Sequence, residues 1–412
     1  MTTAARRPAV GFILVTVLID MIGFGLAFPV LPLLVGDFTP DRAQQSIWTG
    51  VLAGAYGLMQ WLAAPLLGAL SDRVGRRPVL VVAILGLGAH HLLMALAPSL
   101  WFMLAARLIG GAAGATFSVA GAYVSDITAP ADRAKAFGML GATFGLGFIL
   151  GPVIGGLLGD LDPRMPFIVA AGASLVNACY GALVVPESLA PEHRAPFSFA
   201  RANPFGALHA LVAQRATGPL VRVFVLYSLA HAMMVETWVL YTRFRFGWGP
   251  RENGISLFIV GVVATIVGAW GLGKMIAAWG DVRVALLALA SGVVAYLGYA
   301  LSVTPWMIYA VTILVFPLHA TTPALKGIVS RTTPPDAQGV TMGALDGIYA
   351  LMAVIGPLLG TNLLALVSDA PAASPQLGIV FFTCAALQAA AFKLARRHLA
   401  AVPIADVSAA SA

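Results

Sequence analysis

Charge is the scarcest property of this chain. Only 10% of its 412 residues are Asp, Glu, Lys or Arg, against about 25% in an average soluble domain. A soluble enzyme is excluded, because water could not solvate so apolar a surface. Intrinsic disorder is excluded as well, since it needs the opposite composition. Cysteine is nearly missing. Cys179 and Cys384 each sit in an apolar stretch, which leaves no disulfide framework and no thiolate zinc site. Acids are fewer than bases, 17 against 24, for a net charge of +7. No basic stripe with interleaved aromatics stands outside the apolar runs, so nucleic acid is not a partner. There is also no phosphate loop, nucleophile elbow or metal-ligand spacing. Catalysis, a cofactor, a bound metal and ATP hydrolysis are therefore not expected, and any work must draw on an ion gradient or the substrate's own gradient. Gly145-Leu-Gly-Phe resembles part of a dinucleotide fingerprint, but no strand precedes it.

What the chain has in quantity is long apolar runs. Hydrophobic residues make up 59% of it, and the mean hydropathy is +0.90. A membrane helix needs ~20 mostly apolar residues, so twelve use ~240–270 residues and leave short loops, one linker and two tails. The runs predict helices near 9–36, 47–70, 78–97, 101–124, 136–158 and 165–186, then near 219–243, 254–277, 282–302, 305–329, 338–366 and 375–395. The first run is too long for a signal-peptide core and no small-residue cleavage site closes it, so it reads as a retained membrane helix. The expected fold is an all-α membrane protein.

Basic residues orient it. With both ends in the cytoplasm, seventeen of the 24 Lys and Arg fall on the inner side, among them Arg73, Arg76, Arg77, Arg133, Lys135, Lys274, Arg283, Lys393, Arg396 and Arg397. Five fall outside: Arg42, Arg164, Arg243, Arg245 and Arg251. This is the positive-inside pattern.

The chain also repeats itself at an offset of 205 residues. Gly68 meets Gly273, Gly75 meets Gly280, and Ser125, Thr128 and Pro130 meet Ser330, Thr333 and Pro335. Gly151, Pro152 and Gly155 meet Gly356, Pro357 and Gly360, and Cys179 meets Cys384. The reading is two pseudo-symmetric six-helix bundles, residues 1–186 and 219–412, joined by a cytoplasmic linker at 187–218. Parallel halves of this kind belong to a known transporter architecture, with the substrate site at the midplane between them.

Gly68-Ala-Leu-Ser-Asp72-Arg73-Val-Gly75-Arg76-Arg77-Pro78 follows the second run. Its glycines permit a tight turn, and its charges can form a network at helix ends that holds the halves together in one conformation and releases them in another. In this pattern the chain resembles the major facilitator superfamily. The counterpart Gly273-Lys-Met-Ile-Ala277-Ala278-Trp-Gly280 lacks the acid and the arginine. Arg107 before Gly110-Gly111 resembles the superfamily's span-four arginine motif. Gly147-Phe-Ile-Leu-Gly151-Pro152-Val-Ile-Gly155-Gly156 resembles the span-five motif of its exporters.

A narrower resemblance is to the tetracycline-efflux family. It rests on Leu18-Ile-Asp20-Met-Ile-Gly23-Phe-Gly25-Leu-Ala-Phe-Pro29-Val-Leu-Pro32, Ala55-Tyr-Gly-Leu-Met-Gln60, Ala113-Gly-Ala-Thr116 and Phe246-Gly-Trp248. That family implies a proton-coupled antiporter that expels amphipathic drugs from bacteria, in the inner membrane. Two positions that are acidic in its tetracycline exporters are His90 and Gly292 here, and drug-contacting positions of its eighth span are Ala264 and Gly268.

An ionised side chain at the bilayer centre costs about 2.5–3.5 kcal/mol or more, so such residues usually face a cavity and have a task. Three acids lie inside the predicted spans: Asp20, Glu236 and Asp346. Burial and a neighbouring cation pull a carboxyl's proton affinity in opposite directions, so an acid between the two can take a proton on one side of the membrane and release it on the other. Asp20, Glu236 and Asp346 are candidates for proton coupling, with His90 and His231 as relays. Arg107 stays charged and needs a partner, either Asp20 or the substrate. With Gln60, His91 and Trp238 it forms the candidate substrate site. Gly68, Asp72, Arg73, Gly75, Arg76, Arg77, Gly151 and Pro152 are candidates for gating.

The sequence-based expectation is a monomeric secondary transporter in the lipid bilayer that exports an amphipathic small molecule against protons. The alternatives are proton-coupled or facilitated uptake of a metabolite, folate-like or siderophore-like, and a membrane receptor that moves nothing.

Overall fold

The computed structural model describes residues 3–197, 218–333 and 337–399. Most of the expected linker, with Arg201 and Arg215, and the repeat landmark Pro335 lie outside the described residues. In lipid every backbone amide needs an internal partner, so apolar runs of this length become helices. Among the described residues eleven are long and apolar enough to cross a membrane. Spans 1 to 6 are Val10–Gly36, Arg42–Val74, Arg76–Ala95, Leu100–Ile127, Pro130–Leu161 and Met165–Val184. Spans 7 to 9 are Gly218–Phe246, Pro250–Trp279 and Asp281–Leu301, and spans 11 and 12 are Thr341–Ala365 and Pro375–Leu399. Span 10 is a bent pair, Pro305–Leu314 and Phe316–Thr332, meeting at 53°. All twelve predicted runs correspond to one of these.

The breaks have local causes. Span 1 turns at residues 28–30, where Pro29 and Pro32 lack amide donors. Span 10 bends just before Pro317. Span 8 carries a π-helical turn at Val267–Gly271. Asp41 caps span 2 by accepting from the Ala43 amide at 2.8 Å.

Packing follows the repeat. Span 1 packs on spans 5 and 6, as span 7 packs on 11 and 12, and span 3 packs on 6 as span 9 packs on 12. Among the described residues buried apolar side chains form four clusters, two in each half. The halves meet through span 2 on span 11 and span 5 on span 8, two contacts that the six-span offset exchanges.

Glycines show where those contacts are tight. On one side of the membrane a Cβ added at Gly50 would lie 1.9 Å from Thr361 Oγ1, at Gly156 2.6 Å from the Pro250 carbonyl, and at Gly254 2.5 Å from the Pro152 carbonyl. Toward the other side, Gly68, Gly138, Gly141, Gly145, Gly268, Gly343 and Gly347 have nothing within 4 Å of that point. That side carries the loop around Gly75 and most of the basic residues, and is called the basic face below. The molecule is therefore sealed between its halves at the opposite face and splayed apart at the basic face.

Gly75, between spans 2 and 3, has φ +117°, and a Cβ there would lie 2.4 Å from Glu187 Oε2. Gly280, its repeat mate, has φ +75° and open space around it. Gly75→Ala is expected to destabilise the fold by about 1–3 kcal/mol from backbone strain, with the carboxylate contact added. Gly280→Ala should cost less. Thermal denaturation of the two purified variants in one detergent checks the order.

Candidate transport cleft

A cleft opens at mid-membrane between the halves. Residues from spans 1, 2, 3, 4, 6, 7 and 11 line it. Its polar wall is Asp20, Tyr56, Gln60, His90, His91, Arg107, Thr116, Ser174 and Glu236, and its apolar wall includes Met21, Phe24, Phe28, Leu31 and Val239. Six residues singled out in the sequence thus meet here from four spans of the first half and one of the second: Asp20, Gln60, His90, His91, Arg107 and Glu236.

Asp20 is buried in span 1, and its Oδ1 accepts from Asn177 Nδ2 of span 6 at 3.2 Å. The same amide donates to the Thr16 carbonyl at 3.1 Å. Asn177 was not anticipated. Its only signal was a fully polar side chain inside an apolar run, which in a membrane must find a partner.

Arg107 is buried in span 4. Its Nε donates to the Leu52 carbonyl at 3.2 Å, and the guanidinium carbon lies 4.5 Å from the centre of the Tyr56 ring. The expected ion pair with Asp20 does not form; Asp20 is instead engaged by Asn177 of span 6 and by Thr116 of span 4. Among the described residues no ion pair joins Arg107 to any carboxylate. Glu236 is placed on the other half, along the same cleft.

The histidines are neighbours on span 3 and point apart, as a helix requires, with ring centres 5.0 Å apart. His90 Nδ1 is 2.8 Å from the Ala106 carbonyl, which as acceptor calls for the Nδ1–H tautomer. His91 Nδ1 is buried with no hydrogen-bond partner among the described residues. Gln60 donates to the Gly114 carbonyl at 2.9 Å.

Three candidates stand elsewhere. Trp238 is in the core of the second half, donating to Ser256 Oγ at 3.0 Å and edge-on to Tyr299 and Phe381; its large ring completes that core and is absent from the cleft wall. His231 stacks on Tyr227 and packs near Tyr349, one helical turn from Glu236 but outside the lining. Asp346 is exposed and paired with Lys326, so span 10 neutralises it. Gly292 faces Gln388, whose Nε2 would lie 2.4 Å from an added Cβ. An acid at that position would need Gln388 to move. Gly268 lies in the π-helical turn of span 8 with open space around it.

Gly151 and Pro152 work in packing. A Cβ at Gly151 would lie 2.6 Å from Gly25 Cα, so spans 1 and 5 touch backbone to backbone. The Pro152 carbonyl meets Gly254 of span 8.

The charged loop forms its network inside the first half. Arg76 pairs with Asp72 at 2.6 Å and Asp126 at 3.0 Å and donates to Ser71 Oγ at 2.6 Å. The Glu187 carboxylate accepts from the Arg76 amide at 2.8 Å and the Arg77 amide at 3.2 Å. Arg73 is exposed. The network expected to bridge the halves does not do so in this state, because the basic face is splayed and its partners come from spans 2 to 4 and the segment after span 6. A counterpart exists in the second half. Adding the 205-residue offset turns Arg76 into Asp281 and Asp126 into Arg331, and Asp281 pairs with Arg331. The ion pair is kept with its signs exchanged.

Known proteins match this arrangement. The profile of the Major Facilitator Superfamily matches residues 13–357. The class C tetracycline resistance protein of Escherichia coli is 35% identical over 385 residues, covering 93% of this chain and 96% of the relative. The human Hippocampus abundant transcript 1 protein is 30% identical and covers 85% of this chain and 72% of its own length. Among solved structures, the human organic anion transporter MFSD10 superposes with a TM-score of 0.70 at 26% identity, over 96% of this chain and 100% of that one. A bacterial homologue of the lysosomal transporter Spinster, inward-facing and unoccupied, superposes at 0.73 with 14% identity over 97% and 99%, a likeness of fold alone.

Proposed function

The chain belongs to the major facilitator superfamily and is a membrane transporter of a small molecule, and on that premise we propose that it moves an amphipathic organic solute by alternating access, trading protons at Asp20 and Glu236. The observation that carries this reading is the cleft itself. It gathers two carboxylates and a buried guanidinium from both halves at mid-membrane, beside an apolar wall. Solute enters through the splayed face. The halves then rock about spans 2, 5, 8 and 11 until the basic face seals and the opposite face parts.

Proton-coupled export is one reading of direction. Its support is the tetracycline resistance proteins at up to 35% identity and the span-five glycine-proline motif. Uptake of a metabolite, proton-coupled or facilitated, is the second. It is favoured by His90 and Gly292, which stand where the drug exporters have acids, and by the likeness to an organic anion transporter. The basic face is read as cytoplasmic from its Lys and Arg, the membrane as the bacterial inner membrane, and the working unit as a monomer.

Proteoliposomes loaded in both orientations test the coupling. With the intact chain, an imposed pH gradient should accelerate solute flux. Asp20→Asn should abolish that acceleration while solute exchange between the two sides at equal pH continues. Acceleration that survives Asp20→Asn would remove Asp20 from proton coupling. Accumulation or exclusion of solute by intact cells then separates uptake from export.

A further inference from the structure

We infer that the transported solute carries an acid group, and that Arg107 and His91 receive it; the inference rests on the transport reading above and adds the substrate class. Two buried polar groups in the cleft keep hydrogen-bonding capacity to spare: Arg107, with one donor placed on a carbonyl, and His91 Nδ1. Arg107 is 8% exposed and has five N–H donors. One donates to the Leu52 carbonyl, and among the described residues no carboxylate pairs with the rest. Glu236 faces Arg107 electrostatically from the other half without forming an ion pair, and a buried cation left short of direct partners is unfavourable, so the remaining donors stand open to an anion that comes and goes. His91 is 5% exposed, and its Nδ1 has no hydrogen-bond partner among the described residues. Both side chains line the same cleft. A carboxylate fits this pair. It takes two parallel N–H bonds from a guanidinium fork and has lone pairs left for an imidazole N–H. Phe24, Phe28, Leu31 and Val239 supply an apolar surface for the rest of the solute.

A cationic solute finds less. Of the two carboxylates, Asp20 already accepts from Asn177. Among the described residues Glu236 is the only acid of the second half along the cleft, and a cation bound to it would sit in the field of Arg107. Glu236 instead competes with the solute's acid for that field, from the other wall.

The test uses the purified full chain with fluorescein, naproxen and their methyl esters, and rhodamine 6G as an amphipathic cation. Binding is read by ligand-induced thermal shift and by displacement, and transport by counterflow in proteoliposomes. The acids should bind about tenfold or more tighter than their esters, because charge-assisted bonds are lost in the ester. Arg107→Gln should erase that preference. Arg107→Lys should keep part of it, which separates the role of charge from a failure to fold. His91→Phe should weaken the acids and spare the esters, and Glu236→Gln should tighten the acids. Esters or rhodamine 6G binding as tightly as the acids would overturn the inference, as would acids that fail to bind or bind equally well to Arg107→Gln. Acids that bind with this pattern but show no counterflow would sink the transport reading and leave the anion site standing.

Discussion

Gly254→Val should stop transport while leaving the chain folded. Gly254 sits where span 8 touches span 5. A Cβ there would lie 2.5 Å from the Pro152 carbonyl and 3.2 Å from Gly156 Cα. These are backbone atoms and cannot step aside as a side-chain tip would. Gly50 is its equivalent across the molecule, 1.9 Å from Thr361 Oγ1 and 3.0 Å from the Pro357 carbonyl. Both contacts join one half to the other, and neither belongs to the four apolar clusters that hold each half together. A larger side chain therefore penalises sealing of the opposite face and little else. Overpacking costs about 1–3 kcal/mol, and 1.4 kcal/mol changes an equilibrium tenfold. The opposite-face-closed state should lose about tenfold to a hundredfold in population. Gly145→Val and Gly268→Val should act with the other sign. Nothing surrounds those positions in the present state, so the penalty falls on the state in which the basic face closes. Reactivity toward a membrane-impermeant thiol reagent, applied at the opposite face, of a cysteine introduced at Thr49, which is buried in this state and lines the cleft, in a background lacking Cys179 and Cys384, measures the first shift. Equal reactivity in Gly254→Val and the parent chain would contradict it.

The second large effect concerns the sign-exchanged ion pairs. Arg76→Asp alone should be severe. It removes bonds to Asp72, Asp126 and Ser71 and sets a new carboxylate among three others, Asp72, Asp126 and Glu187. Hydrogen bonds to charged groups contribute about 1.5–3 kcal/mol each, and replacing attraction with repulsion adds to that loss. Arg76→Asp with Asp126→Arg recreates the arrangement that Asp281 and Arg331 already use. It should recover a large share of the thermal stability and flux, though not all, because Asp72 and Glu187 remain tuned to a cation. In the second half, Asp281→Arg with Arg331→Asp should recover more completely, since Ala277, at the position equivalent to Asp72, leaves no third charge tuned to the original polarity. A double variant no better than Arg76→Asp alone would show that position, and not pairing, sets the requirement.

The twelve spans were legible because lipid removes alternatives: an apolar run of this length has only the helix open to it. Even the bent tenth span was covered as one run, since Pro317 interrupts the helix without introducing charge. The repeat was legible through glycine and proline, whose roles are steric and survive drift in the other residues. Comparing identities hid the second-half ion pair, because an exchange of sign looks like a loss when residues are matched one by one. In the sequence Asn177 is one polar residue among apolar ones, and nothing in its spacing marks it as a partner of Asp20. For Trp238 side-chain chemistry alone points to the cleft, and packing decides otherwise. Which face of a membrane helix meets the cavity and which meets its own bundle is set by tertiary packing, and span 7 is hydrophobic nearly all round.

The central claim is that the two halves rock about the cleft so that one face opens as the other seals. Electron–electron double resonance on spin-label pairs between spans 5 and 8 tests it most directly. One pair replaces Phe137 and Trp279 toward the basic face, and the other replaces Leu161 and Arg251 at the opposite face; all four side chains are exposed. Across a pH change, or on adding a bound acid, the Phe137–Trp279 distance should shorten as the Leu161–Arg251 distance lengthens. Distances that stay fixed, or that lengthen together, would contradict the account.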